Sequence, residues 1–145
     1  MFKLNKMTDY AIVCLCILSN KKSTFVSAHQ ISTDSGLSLS TVQKVMKIIC
    51  SKSNFLITHR GSNGGYRLNK KADDISIINI IEMMDGPLSL TPCVDGNHEK
   101  CESRKTCFIE GNWNKINMVI RDTLQSYSVS DLMWHEPLQF LKKNK

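Results

Sequence analysis

The chain has 145 residues, 41% hydrophobic and 22% charged, which suits one domain with an appended element around a reasonable core. No apolar run approaches the roughly 18 residues that cross a bilayer, and the polar opening Met1-Phe2-Lys3-Leu4-Asn5-Lys6 and short Ala11–Leu18 stretch do not read as a secretion signal, so a cytoplasmic protein is expected. The net charge of +6 is uneven: residues 1–72 carry eleven Lys and Arg against only Asp9 and Asp34 (+9), residues 73–145 eight against eleven acids (−3), and this points the first half at a polyanion.

Thr8 or Asp9 is a fitting cap for a first helix with Ile12, Leu15, Cys16 and Ile17 as apolar positions, ending near residues 19–22. A second, short helix is predicted from about Ser27, with Ala28 and Ile31 inward. The turn Thr33-Asp34-Ser35-Gly36-Leu37 follows it. Ser38 or Ser40 caps a third helix carrying Val42, Val45, Met46 and Ile49, and two short helices around such a turn form a helix-turn-helix. Residues 55–60 and Tyr66-Arg67-Leu68, either side of Gly61-Ser62-Asn63-Gly64-Gly65, predict a β-hairpin. A hairpin directly after a helix-turn-helix is the wing of a winged helix.

Asp74 or Ser76 opens a helix through Ile77, Ile80, Ile81 and Met84, which Gly86-Pro87 stops. A cysteine loop runs from about Leu88 to Phe108. A longer helix is predicted from roughly Glu110 to Gln125, with Trp113, Ile116, Ile120 and Leu124 on one stripe, and a short last helix near Ser130 to Trp134. The expected fold is mainly α: a winged helix-turn-helix with a small β-hairpin wing (1–72), then a cysteine loop and a long dimerisation helix (73–145), in one compact unit. Little chain is left to cover the apolar stripe of the long helix, which gives a homodimer its physical motive.

A recognition helix needs small and hydrogen-bonding side chains in its first turns, so that it can approach base edges in the major groove of double-stranded DNA. Ser38, Ser40, Thr41 and Gln43 meet that need, and Gln43 suits adenine. Lys44, Lys47 and Lys52 lie on the same element as phosphate partners. Arg60 and Arg67 flank the wing tip, where Ser62 and Asn63 are placed to reach backbone or minor groove.

The six cysteines are of two kinds. Cys14, Cys16 and Cys50 sit in apolar helical patterns as small hydrophobes. Cys93, Cys101 and Cys107, spaced C-x7-C-x5-C in a polar loop, are soft ligands for zinc or an iron–sulfur cluster. Either site lacks a fourth loop cysteine, and His98 lies inside the loop as a candidate for zinc. Oxidation of the thiols to a disulfide is an alternative use of the same residues.

Residues from about Leu4 to Leu68 resemble the winged helix of the Rrf2 transcription regulators, the family of IscR, NsrR and RirA. Leu37-Ser38-Leu39-Ser40 and the wing run Arg60-Gly61-Ser62-Asn63-Gly64-Gly65-Tyr66-Arg67-Leu68 are its most specific segments. The Ser76–Gly86 helix, the cysteine loop and the stretch from Trp113 to Leu132 extend the likeness to nearly the whole chain. The opening Lys6-Met7-Thr8-Asp9-Tyr10 is similar to the branch that regulates SUF iron–sulfur assembly. The resemblance implies a homodimer on a DNA operator and a 2Fe-2S or 4Fe-4S cluster held by the three loop cysteines and one other residue. By position that residue is Glu110, where IscR-like members carry histidine, or Asp9, which NsrR-like members supply from the partner subunit.

The leading expectation is therefore a DNA-binding regulator, a repressor or an activator, that senses iron–sulfur status, redox stress or nitric oxide. A zinc-containing or thiol-redox regulator is the alternative, and a structural or iron-trafficking metal protein is an alternative of another class. No enzyme is expected. There is no nucleophile–base pair and no P-loop, since the Gly61–Gly65 run lacks the following lysine and helix, and no small-molecule substrate or membrane partner is implied.

Overall fold

Helix α1 (Lys6–Asn20) starts earlier than a Thr8 or Asp9 cap would have it. Asn5 is the cap, its side-chain oxygen accepting from the Met7 amide at 3.0 Å. Thr8 is instead fully buried on the inner face with Ala11, Cys14 and Leu15, and its hydroxyl donates to Asp85 Oδ2 at 2.6 Å. A threonine is tolerated in that position because its hydroxyl is bonded. The computed structural model describes residues 3–21, 24–94, 106–109 and 111–133.

Helix α2 (Ala28–Ser35) is capped by Ser27, which accepts from the Gln30 amide. It ends at Gly36, whose φ of 72° is the left-handed conformation that glycine adopts most cheaply. Ser38, the first of the two expected serines, caps α3 (Leu39–Lys52) by accepting from the Thr41 amide at 3.2 Å. Val42, Val45, Met46 and Ile49, at i, i+3, i+4 and i+7, are all fully buried. The wing is an antiparallel pair, β1 (Leu56–His59) and β2 (Gly65–Leu68), in register Leu56↔Leu68 to His59↔Gly65. Val26, ahead of α2, adds a bridge to Tyr66 through two backbone hydrogen bonds of 2.9 Å each.

After a single 3-10 turn (Ala72–Asp74), Ser76 caps α4 (Ile77–Asp85), the second of the two expected positions. Its four buried isoleucines are mediocre helix formers, so packing rather than propensity holds this helix. Helix α5 runs Asn112–Gln125. A capping box of Ser128 and Asp131 sets α6 at Val129–Leu132, slightly earlier than expected, and Trp134 lies outside the described residues. Ile77 N–H donates to Tyr127 O and Val129 N–H to Ile75 O, which staples α6 beside the start of α4. One apolar cluster results: Leu15, Ile31, Met46 and Ile49 of the helix-turn-helix pack with Ile75, Ile80 and Val129. Burial of each such side chain contributes about 1.5–3 kcal/mol. Among the described residues no helix is long and apolar enough to cross a membrane.

The core thiols give a pH prediction. Burial and the neighbouring Cys16 push the Cys14 thiol from 9.0 up to about 12, and burial pushes Cys16 to about 11. Above about pH 9 the unfolded chain ionises both while the fold keeps them protonated, so the stability they confer is complete below that pH and lost as pH rises. The thermal midpoint should hold from pH 7 to 8.5 and then decline. Replacing both cysteines with alanine should flatten the decline, whatever it does to the midpoint itself; an unchanged slope would refute the assignment.

Candidate functional site

Two groups of residues stand apart from the core: an outward polar surface on α3 and the wing, and the cysteine loop between α4 and α5. On α3 the face opposite the buried one carries Ser40, Gln43, Lys44 and Lys47, all exposed and spaced so that they form one stripe. The hydroxyls of Ser38, Ser40 and Thr41 gather at the head of the helix, Ser38 lying 3.1 Å from Ser40 Oγ and 2.8 Å from Thr41 Oγ1. Ser38 is thus engaged in capping, and Thr41 is half-buried. Asp34, one of the two acids of the basic half, is held by Lys21 at 3.0 Å and Gln30 at 2.7 Å, and these partners lower its carboxyl pKa.

Arg60, Ser62 and Asn63 are exposed at the wing tip, and Ser62 and Asn63 border a cleft whose other wall includes Ser27 and Gln30 at the start of α2. Arg67 is placed differently. It is half-buried, and its guanidinium lies 4.9 Å from the Phe25 ring centroid, with His59 on the same ring at 5.4 Å. Register explains this, because Arg67 and Ile57 face away from the side that Leu56 and Leu68 turn to the core. Phe25 was not foreseen as part of the wing; its place next to Val26, which bridges to Tyr66, is what brings it there.

The cysteine loop begins in an ordered knot. Ser89 Oγ donates to Thr91 O at 2.7 Å, the Val94 amide donates to the same oxygen at 3.2 Å, and Thr91 Oγ1 lies 3.1 Å from Cys93 Sγ. Cys93 and Cys107 are half-buried free thiols at the two ends of the loop. Cys101, His98 and Glu110 lie outside the described residues. Asp9 is exposed on the first turn of α1, directly after Thr8. The Thr8–Asp85 hydrogen bond therefore sets the Asp9 turn beside the end of α4, from which the loop departs.

The donor chemistry fits a soft metal or cluster. Burial raises the thiols of Cys14, Cys16 and Cys50 and disfavours the thiolate that metals bind, whereas Cys93 and Cys107 keep access to solvent. Among the described residues no three His, Cys, Asp or Glu side chains converge on a metal position.

Helix α5 turns two polar residues, Asn117 and Arg121, towards the rest of the molecule. Asn117 is buried, Arg121 forks onto Glu82 of α4 with Nε–Oε1 3.0 Å and Nη2–Oε2 3.1 Å, and Leu124 packs on the core. Ile116, Met118 and Val119 point outward, 48%, 60% and 65% exposed, and Phe108 and Ile109 ahead of the helix are exposed as well. The expected stripe is thus divided: Leu124 packs inward, while Ile116 remains uncovered.

The sequence model of the Rrf2 family, described as an iron-dependent transcriptional regulator, matches residues 4–135. Curated relatives include the HTH-type transcriptional regulator NsrR of Bacillus licheniformis, 28% identical over 135 residues and covering 92% of this chain and 94% of the relative. The HTH-type transcriptional regulator IscR of Aliivibrio salmonicida is 26% identical over 138 residues, covering 94% and 80%. Among solved structures, CymR (YrzC), the global cysteine regulator of B. subtilis, superposes with a TM-score of 0.72 at 22% identity, over 92% of this chain and 97% of its own. T. potens IscR gives 0.68 at 18% identity, over 96% of each.

Proposed function

The chain belongs to the Rrf2 family of DNA-binding transcription regulators, and we propose that it acts as a homodimer whose affinity for a double-stranded operator is set by an iron–sulfur cluster on the cysteine loop. The observation that carries the reading is the exposed stripe Ser40, Gln43, Lys44 and Lys47, backed by the buried face of the same helix, together with the exposed Arg60, Ser62 and Asn63 on the wing. In this reading residues 1–72 grip DNA. Gln43 and Ser40 meet base edges, and the lysines and Arg60 neutralise phosphates. Residues 73–145 hold the cluster and the partner subunit, with Ile116 and Val119 supplying apolar contact between copies.

Cys93, Cys101 and Cys107 bind as thiolates, and Glu110 or Asp9 of the partner subunit completes the set with a carboxylate. A carboxylate is harder than a thiolate and holds iron less firmly, which suits a site that must lose or change its occupant. When bound, the cluster supplies a centre sensitive to iron status, oxidants or nitric oxide. The Thr8–Asp85 bond and the α4–α5 ion pair join that end of the molecule to α1, against which α3 packs.

The test is anaerobic reconstitution with iron and sulfide, read by visible absorbance and circular dichroism, followed by operator binding with and without cluster. Wild type should show thiolate–iron charge-transfer bands that Cys93→Ala abolishes. Cluster removal should change operator affinity by about 5- to 150-fold. A colourless protein that takes up one zinc per chain would replace the cluster with a structural site, with His98 as a candidate ligand. A protein that neither takes up metal nor binds DNA would end the proposal.

A further inference from the structure

Asn117 is the one described side chain of α5 that is polar, uncharged and almost fully buried, at 6% exposure, and its amide is hydrogen-bonded at both ends. Nδ2–H donates to Leu88 O at 2.8 Å, and Oδ1 accepts from the Leu90 amide at 3.1 Å. Both partners are backbone groups of the segment that opens the cysteine loop, 27 and 29 residues away in sequence. A single side chain that satisfies one donor and one acceptor two residues apart fixes both the position and the direction of that strand of chain. Directly after it come the Ser89–Thr91–Val94 hydrogen bonds and the Thr91–Cys93 contact, with Val94 buried at 5% exposure. The knot that presents Cys93 is therefore moored to α5 through the Asn117 amide.

We propose that Asn117 is a positioning residue for the cysteine loop: it holds the first thiol ligand in place on the helix whose outer turns, Ile116 and Val119, were assigned above to the partner subunit. The link to a cluster rests on the reading in Proposed function; the mooring of Cys93 does not. Without the amide, Leu88 O and the Leu90 N–H must find water, and the knot loses this tie to α5. The same amide transmits a shift of α5 to the Cys93 end of the loop, so packing between copies and geometry at the ligand meet at this residue.

Two readouts separate the mooring from the cluster. In the metal-free protein, the rate at which iodoacetamide modifies Cys93, followed by peptide mass spectrometry, should rise about tenfold in Asn117→Leu, which keeps the bulk and loses both hydrogen bonds. Cys14 in the core serves as the unaffected reference. Asn117→Ser, which adds no charge and is too short to span Leu88 O and the Leu90 N–H together, should also raise the rate, and it decides the matter if the leucine variant does not fold. In the reconstituted protein, visible bands should bleach several-fold faster under chelator in Asn117→Leu. A Cys93 rate equal to wild type in both variants overturns the proposal even if wild type binds a cluster. A raised rate in a protein that never colours sustains the mooring and removes only the cluster reading.

Discussion

Replacing Gly65 with alanine should free the wing from the body of the winged helix, lowering stability by about 2–3 kcal/mol and weakening operator binding roughly tenfold or more. A Cβ at Gly65 would lie 2.3 Å from Val26 O, 2.5 Å from Val26 C and 2.9 Å from Ser27 N. All three are backbone atoms, so no side chain can swing aside. The only relief is for β2 to back away from Val26, which breaks the paired Val26–Tyr66 hydrogen bonds and lifts Tyr66 from the core edge. For a chain of this size the loss corresponds to a fall in thermal midpoint of about 5–10 °C. Gly36→Ala separates this clash from ordinary backbone strain. The space around Gly36 is open, but its φ of +72° is left-handed, so alanine there costs about 1 kcal/mol and should leave the wing in place. Thermal melts and fluorescence anisotropy on the two variants decide the matter: if Gly65→Ala behaves like Gly36→Ala, the close approach at Val26 does not hold the wing.

That contact also marks where the sequence stops being legible. The helix-turn-helix, the wing and α4 could be read from period and punctuation because Val42, Val45, Met46 and Ile49 repeat at helical spacing, and Gly36 and Gly86 sit where helices must end. The cap of α1 was misplaced because three residue types that cap well, at Asn5, Thr8 and Asp9, stand within five positions. The choice fell to tertiary structure, since Thr8 has a partner only once α4 brings Asp85 beside it. The long helix shows the same limit. Ile116-Asn117-Met118-Val119-Ile120 reads as an apolar run interrupted by an asparagine, yet the interruption is what faces inward. A lone amide in the middle of such a run was the available signal, and only the fold reveals that its partners lie in the loop that begins at Leu88. Likewise the pairing of Phe25 with Arg67 and His59 follows from strand register rather than from any local pattern.

Gln43 and the lysine pair Lys44 and Lys47 should fail in different ways, and the difference tests the α3 stripe as a reading surface. A side chain hydrogen-bonded to a base edge contributes about 1–3 kcal/mol of discrimination. Gln43→Ala should therefore weaken an operator selected from a random-sequence library by about 10- to 100-fold, relax preference at one position of each half-site and leave random DNA almost unaffected. Lysines on phosphates carry no sequence information but release counterions, at about 0.9 of a unit of salt slope for each phosphate. Joint replacement of Lys44 and Lys47 by alanine should weaken operator and random DNA alike and make the plot of log affinity against log salt shallower by about two units per protomer. All three side chains are exposed and lie off the buried face, so folding should be unchanged within about 0.5 kcal/mol. Anisotropy titrations at several salt concentrations, with a thermal melt beside each variant, separate the two behaviours. Equal loss on operator and random DNA with Gln43→Ala would demote that residue to a backbone contact, and an unchanged salt slope in the lysine variant would remove α3 from the interface.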